Sequence, residues 1–156
     1  MKYKQLTKEQ LESLHDEFAR FLATQQIDAA EWKSLKNEKP QIAEEELNIF
    51  SDIVWNDVLT KTNYLEHFSA KTINLFKCKK ETIHRIVIKV SKNIDLQTQK
   101  DYQWLLKNPL DKTVEFLQGE KKYTKERNVE VFDLIEKGST LSKGELFEYF
   151  YKLIEK

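Results

Sequence analysis

The stretch from residue 72 to residue 90, TINLFKCKKETIHRIVIKV, constrains the fold more than any other part of the sequence. β-Branched and aromatic residues gather there without helical spacing, which is typical of strands. Polar residues 79–81 separate two apolar runs, so the pattern predicts a β-hairpin with strands at 72–78 and 82–90. Helical patterns precede this stretch, so any sheet has to be built on the hairpin.

Alternation of side chains along the two strands predicts the two faces of the hairpin. We expect one face to be wholly apolar and to meet helices, and we assign to it Phe76, Cys78, Ile86 and Ile88. The other face mixes cationic and apolar side chains, so we expect it to be wet or covered only in part.

Capping signals and helical periodicity predict the helices before the hairpin. Thr7 and Gln10 form a capping box that begins a helix reaching to about Thr24, and Asp28 is the expected N-cap of a second, short helix. Pro40 suits the first turn of a third helix, whose wide apolar stripe is extended by Ile49 and continues through Ile53. A helix with so broad a stripe is expected to lie centrally.

After the hairpin, the sequence predicts one more strand and three more helices. Thr98 is an expected N-cap, residues 113–117 are an expected third strand, and Thr124 is the expected N-cap of the next helix. Gly138 is expected to end that helix in a left-handed conformation. A capping box within residues 141–146 is expected to begin the last helix. Residues 63–69 fit either a helical turn or a connecting segment.

These elements indicate an α+β fold, a helix-rich single domain over residues 1–156 with about six helices around a small antiparallel sheet made of the hairpin and a third strand. Hydrophobic residues at 40% supply a core, and charged residues at 33% indicate a soluble surface. The N-terminus lacks the apolar run of a signal peptide, so a cytoplasmic location is the default expectation.

Charge is balanced overall and separated along the chain. The formal net charge is zero, whereas residues 71–92 carry seven Lys and Arg against the single acid Glu81. We interpret this as complementary surfaces within one molecule, or as a hairpin that binds a partner. The alternative is a weak RNA-binding module that uses Lys77, Lys79, Lys80, Arg85 and Lys89.

The sequence has none of the common catalytic motifs: no P-loop, no Gly-rich dinucleotide turn, no H-E-x-x-H and no G-x-S-x-G. We therefore favour a non-enzymatic interaction or regulatory module that acts without a cofactor, with a protein partner, as a monomer or a homodimer. The single cysteine, Cys78, is expected to be a packed core thiol. A small enzyme or metal-binding protein is a second alternative, and no metal is expected. Its candidate residues are His15, Glu66, His67 and Asp52.

The chain also resembles a family of small uncharacterised proteins, a domain of unknown function associated with Bacteroidetes. The resemblance is nearly end to end and is carried by Lys2-Tyr3, Leu14-His15, Phe21-Leu22-Ala23, Glu31-Trp32, Val54-Trp55, Tyr64-Leu65-Glu66-His67, Leu75-Phe76-Lys77-Cys78 and Gly144-Glu145-Leu146. None of these stretches is a catalytic signature. The resemblance implies a standalone cytosolic protein and assigns no functional residue.

Overall fold

The computed structural model describes residues 1–155, which contain seven helices and five strands. The chain separates into two compact units, Met1–Val58 and the part that begins at Leu59. The α+β class is confirmed, although the sheet has five strands instead of three. Organisation of residues 1–156 as a single domain stays a prediction.

The first unit is helical. Its helices are α1 (Lys8–Ser13), α2 (His15–Ala23), α3 (Ala29–Glu38) and the larger part of α4 (Pro40–Lys61). Both hydrogen bonds of the Thr7–Gln10 capping box are present, and Asp28 caps α3 through the backbone N–H of Glu31. The single helix predicted up to Thr24 is interrupted, because Leu14 with ψ of 24° separates α1 from α2.

Aromatic rings form the core of the first unit. Phe18 lies 5.1 Å from Trp32 and 5.0 Å from Phe50, measured between ring centroids, so α2, α3 and α4 meet there. The broad buried stripe predicted for α4 is too wide, because Ile49 is 50% exposed and Ile53 is 53% exposed. Only the narrower side of α4 that carries Phe50 is buried in this unit.

The second unit is built on an antiparallel sheet. Its strands are β1 (Tyr64–Phe68), β2 (Thr72–Cys78), β3 (Thr82–Val90), β4 (Val114–Lys122) and β5 (Thr140–Ser142), in the order β4-β3-β2-β1-β5. The bounds of the predicted hairpin strands are confirmed. The third predicted strand is longer than residues 113–117. Residues 64–68 are a strand, so neither the helical turn nor the connecting segment predicted for this region is correct.

The register of the hairpin corrects the predicted faces. Ile88 lies opposite Ile73 in β2, whereas Phe76 lies opposite Arg85 and Cys78 opposite Ile83. Phe76 and Cys78 therefore occupy the face opposite to that of Ile88. The turn decides this register, since residue 79 pairs with residue 82 through a backbone hydrogen bond of 3.0 Å.

Helices cover both faces of the sheet. On one side, the α5/α7 face, the helices α5 (Gln99–Lys107) and α7 (Glu145–Ile154) pack on the strands. The buried residues of that core are Ile73, Leu75, Ile86, Ile88, Val90, Leu96, Leu105, Phe147 and Phe150. On the other side, the α6 face, the helix α6 (Arg127–Glu136) lies beside the strands. Each face of the hairpin, the one predicted to be apolar and the one predicted to be mixed, is therefore covered in part by helices.

The ends of the later helices depart from two predicted caps. Thr124 does not cap α6, since Glu126 is its N-cap and the Thr124 hydroxyl donates to the Glu130 carboxylate instead. Ser142 belongs to β5 and accepts from the N–H of Gly144, so the predicted capping box of α7 is wrong. Gly144 has φ of 88°, and a Cβ at this position would overlap the Tyr64 ring.

Gly138 ends α6 as the sequence predicts. Its φ is 113°, its N–H donates to Ile135 O and the N–H of Ser139 donates to Leu134 O, which together form a Schellman motif. A Cβ at Gly138 would lie 3.2 Å from Nε2 of His67, so this turn also packs closely against β1.

Candidate functional site

A cleft of about 990 Å³ opens between the α6 face and α6. Its apolar lining comes from Phe76, Ile83, Val87 and Leu117 of the sheet and from Leu134 of α6. Polar residues surround this apolar floor, and they are His67, Asn74, Arg85, Gln118, Glu120, Lys121, Thr124, Lys125, Glu130, Asp133, Lys137 and Ser139. Strand alternation directs the side chains of Gln118 and Glu120 to the α5/α7 face, where both contact His84. Apolar floors with a few polar groups are typical of ligand sites.

Strand register arranges the floor in rows. One row across β1 to β4 holds His67, Asn74, Val87 and Leu117. In the next row Gly119 of β4 lies directly opposite Arg85 of β3. No atom lies within 4 Å of where a Gly119 Cβ would stand, so the floor is open beside the guanidinium.

Arg85 is held in a fixed orientation on the floor. Oδ1 of Asn74 accepts hydrogen bonds from its Nε, at 3.0 Å, and from its Nη2. The guanidinium carbon also lies 5.8 Å from the centroid of the Phe76 ring, within the range of a cation–π contact. Both partners are neutral.

The carboxylates around the cleft are already matched by lysines. Lys125 contacts Asp133 at 3.0 Å and Lys121 contacts Glu130 at 3.9 Å. On the other face of β4, Lys79 contacts Glu120 at 3.0 Å. Hydrogen bonds from Thr82 and Lys79 lower the pKa of the Glu120 carboxyl, which keeps it charged. Among residues 1–155, Arg85 has no such ion pair with a carboxylate. Its charge therefore faces the cleft without an acidic counterpart.

One end of the sheet is held by Arg127, the first residue of α6. Its guanidinium donates to the backbone carbonyls of Leu59 at 2.8 Å, Cys78 at 3.0 Å and Lys79 at 3.1 Å, and also to the carbonyl of Thr62. The sequence does not single out this residue, because an arginine in the first turn of a helix is ordinarily a surface group.

The predicted core thiol is confirmed. Cys78 is buried, and burial raises its pKa from 9.0 to about 11 despite the nearby positive charge of Arg127. A thiol with so high a pKa is almost fully protonated at neutral pH, and only the thiolate is a strong nucleophile.

The structure does not assemble the candidate metal ligands of the second unit. Glu66 and His67 are neighbours on β1, so their side chains point to opposite faces of the sheet. In the first unit, His15 is exposed next to Asp16. Asp52 of the same unit accepts hydrogen bonds from the backbone N–H groups of Lys2, at 2.7 Å, and Tyr3, at 2.9 Å. Within the described residues, no group of three or more His, Cys, Asp or Glu is placed to hold a metal ion.

The five candidate RNA-binding residues are spread over different surroundings. Lys77 lies on the α5/α7 face, 3.3 Å from Glu148 of α7. Burial alone would lower the pKa of Lys77, and the hydrogen bond and charge of Glu148 outweigh it and raise the pKa. Lys79 contacts Glu120, and Arg85 lines the cleft. Lys80 lies at the hairpin turn and Lys89 in a separate groove of about 680 Å³. RNA binding by this set stays a prediction.

Comparisons with known proteins identify a family and no individual relative. The helices of the described residues are each too short or too polar to span a lipid bilayer. Comparison with curated proteins found no match, and comparison with solved structures found none either. A model of a family of unknown function, DUF6495, matches residues 1–155, and the chain therefore belongs to that family.

Proposed function

We propose that this protein is a non-enzymatic interaction module that binds a segment of a partner protein in the cleft between α6 and the sheet. The observation that carries the proposal is Arg85, a fixed guanidinium on an apolar floor whose partners are the neutral Asn74 and Phe76. The Glu130 and Asp133 carboxylates of the cleft are paired with lysines. Nucleophilic catalysis would instead need a nucleophile held by a base.

The chemistry of the cleft favours a segment that carries a carboxylate beside an apolar side chain. An arginine fork binds a carboxylate through two parallel hydrogen bonds, and such charge-assisted bonds are stronger than neutral ones. Asn74 already orders the Arg85 side chain, which lowers the entropic cost of binding. Val87 and Leu117 supply apolar surface for the neighbouring side chain.

Site-specific photo-crosslinking in native lysate tests the proposal. A photoreactive residue at Lys137, on the rim of the cleft, should capture one protein, and the crosslinked peptide should contain an acidic residue. The same probe at Lys107, at the end of α5, serves as the control position. Arg85→Glu should abolish the capture, whereas Lys89→Glu, the same charge change on the same strand outside the cleft, should leave it intact.

A synthetic copy of the captured segment then tests the carboxylate. Replacing its acid by the matching amide should weaken binding by about tenfold to a hundredfold, because a charge-assisted hydrogen bond is lost. Equal capture from positions 137 and 107, or capture that survives Arg85→Glu, would rule out the cleft as the binding site.

We also propose a cytoplasmic location. Cys78 is a single unpaired thiol, which suits a reducing compartment. Cell fractionation followed by immunodetection checks this, and recovery with secreted or membrane fractions would contradict it.

A further inference from the structure

Strand β4 is an open edge of the sheet. Among the residues that the structure describes, β4 pairs only with β3. The N–H of Ser91 donates to Thr113 O at 2.9 Å, and this pair continues the register of β3 with β4. In an antiparallel pair, hydrogen-bonded residues alternate, so the odd-numbered residues of β4 bond to β3. The backbone groups of Phe116, Gln118 and Glu120 therefore point away from the sheet, where they can pair with another strand.

On the α6 face, the side chains of β4 complement themselves in antiparallel orientation. Gln118 is the middle residue of the strand, so a second copy turned about Gln118 pairs all nine residues, Val114–Lys122. In this register Glu115 lies opposite Lys121 of the second copy, and Leu117 lies opposite Gly119. Opposite charges face each other, and a large side chain faces a position without one.

Exposure of these side chains agrees with such a pairing. Leu117 is 45% exposed in the middle of the edge, although it is apolar. Lys121 is 66% exposed and lies 3.9 Å from Glu130, at the long end of an ion pair. Glu130 also accepts from the Thr124 hydroxyl and the Lys125 N–H, so the Lys121 ammonium can turn to another carboxylate. Within residues 1–155, no atom lies within 4 Å of a Cβ built on Gly119, which leaves room for the Leu117 side chain of a second copy.

We propose that two copies of the chain pair through β4 into a two-fold symmetric dimer with one continuous ten-stranded sheet. The partner's Leu117 then lies over Gly119 beside Arg85, so each cleft gains an apolar wall from the other copy. Pairing of one strand from each copy makes a small interface, and we expect dissociation constants of about 10–100 µM. The proposal stands on the open edge of β4 and does not depend on the proposed ligand of the cleft.

Charge exchange across the strand pair tests the register. Glu115→Lys or Lys121→Glu alone places like charges opposite each other twice per dimer, which should weaken dimerisation by tenfold or more. The double variant restores both pairs and should recover the dimer. Sedimentation velocity over a hundredfold range of concentration measures the association. Lys112→Glu, an equal charge change just before β4, is the control and should dimerise like the unmodified protein.

Amide hydrogen exchange locates the interface and is independent of the charge variants. The amides of Phe116, Gln118 and Glu120 should exchange more slowly as the protein concentration rises, whereas those of Leu117 and Gly119 already bond to β3 and should not change. A protein that stays monomeric at every concentration would overturn the proposal. So would a dimer in which these three amides are unaffected, or a double variant that does not recover. Slowing of the same amides only when a captured partner segment is added would assign the edge to that partner instead.

Discussion

Arg127 joins parts of the chain that are distant in sequence through a single side chain. Its donors reach the carbonyls of Leu59 and Thr62 at the end of α4 and those of Cys78 and Lys79 at the end of β2. Carbonyls at the ends of a helix and a strand lose part of the bonding of a regular element. The Leu59 carbonyl also accepts from the N–H of Thr62, and the Lys79 carbonyl also accepts from the Tyr123 hydroxyl. A planar guanidinium with five donors can serve several of them at once, which an ammonium group cannot do in the same geometry.

Replacing Arg127 by Lys should therefore lower the free energy of unfolding by about 2–4 kcal/mol, because part-buried carbonyls lose their donors. Urea denaturation measures the loss. Lys125→Ala removes an exposed ion pair two residues away and should cost about 0.5 kcal/mol or less. Equal losses in the two variants would mean that water replaces the guanidinium without penalty.

Cys78 should make stability depend on alkaline pH. In the unfolded chain the thiol ionises near 9.0, whereas burial raises its pKa to about 11 in the folded protein. The folded state therefore holds the proton more tightly, and stability is fully present below pH 9 and falls as the pH rises towards 11. Two pKa units correspond to about 2.7 kcal/mol.

Denaturation at several pH values with Cys78→Ala as the control isolates this effect. The variant lacks the thiol, so its stability should fall less steeply between pH 9 and 11. Tyr123 is present in both proteins, but the charge of Cys78 adds to burial in raising its pKa to about 12. The difference between the two curves therefore reports the thiol together with its effect on Tyr123. Parallel curves for the two proteins would show that the thiol ionises as easily in the folded state.

At the scale of the elements, the sequence predicts helix ends correctly where a hydrogen bond between residues close in sequence forms them. The caps at Thr7, Asp28 and Thr98 each depend on a hydrogen bond to a residue three positions away, and all three are present. Gly138 likewise acts within one turn of its helix. Ser142 carries the same signal, but it is part of a strand that pairs with β1, so tertiary pairing overrides the local preference.

Long-range pairing explains what the sequence did not reveal. Strand β5 has three residues and gains its structure from β1, so no periodicity marks it. The predicted faces of the hairpin are wrong because the register of β2 with β3 depends on the turn, which side-chain alternation does not define. The sequence marks Arg85 only as a cation, because its cleft forms only when α6 lies beside the sheet. Arg127 is not marked at all, since the carbonyls that it binds are far away in sequence.

The corrected faces give a sharp test on adjacent residues of β3. Ile88 is fully buried in the core of the α5/α7 face, so Ile88→Ala should leave a cavity and cost about 2–5 kcal/mol. Lys89 is exposed on the opposite face, and Lys89→Ala should change stability by under about 0.5 kcal/mol. Denaturant melts compare the two. Similar small losses would place Ile88 outside the core.

Over the whole molecule, ion pairs bring the basic segment of the sequence into contact with acidic residues of later segments. The basic segment 71–92 meets acids from later elements, as in the pairs of Lys77 with Glu148 and Lys79 with Glu120. Separation of charge along the sequence is thus partly neutralised in the folded chain. This agrees with complementary surfaces within one molecule and leaves fewer cations for a polyanion.

The salt dependence of RNA binding tests the RNA-binding alternative, because it counts the cations that contact phosphates. With Lys77 and Lys79 engaged, at most three of the five candidates contact phosphates, so the slope of log K against log salt should be no steeper than about −2 for single-stranded RNA. Fluorescence titration of a labelled oligonucleotide at several salt concentrations gives the slope. A slope near −3.5 would mean that all five cations bind and would favour the RNA alternative.

The pairing of β1 with β5 sets a delay in biosynthesis. The two strands lie about 75 residues apart, and a ribosome adds about 5–20 residues each second. The outer edge of β1 therefore waits several seconds for its partner while the rest of the chain emerges. During that interval the nascent protein presents an unpaired strand edge to other chains, and such edges are sites of aggregation until a partner strand covers them.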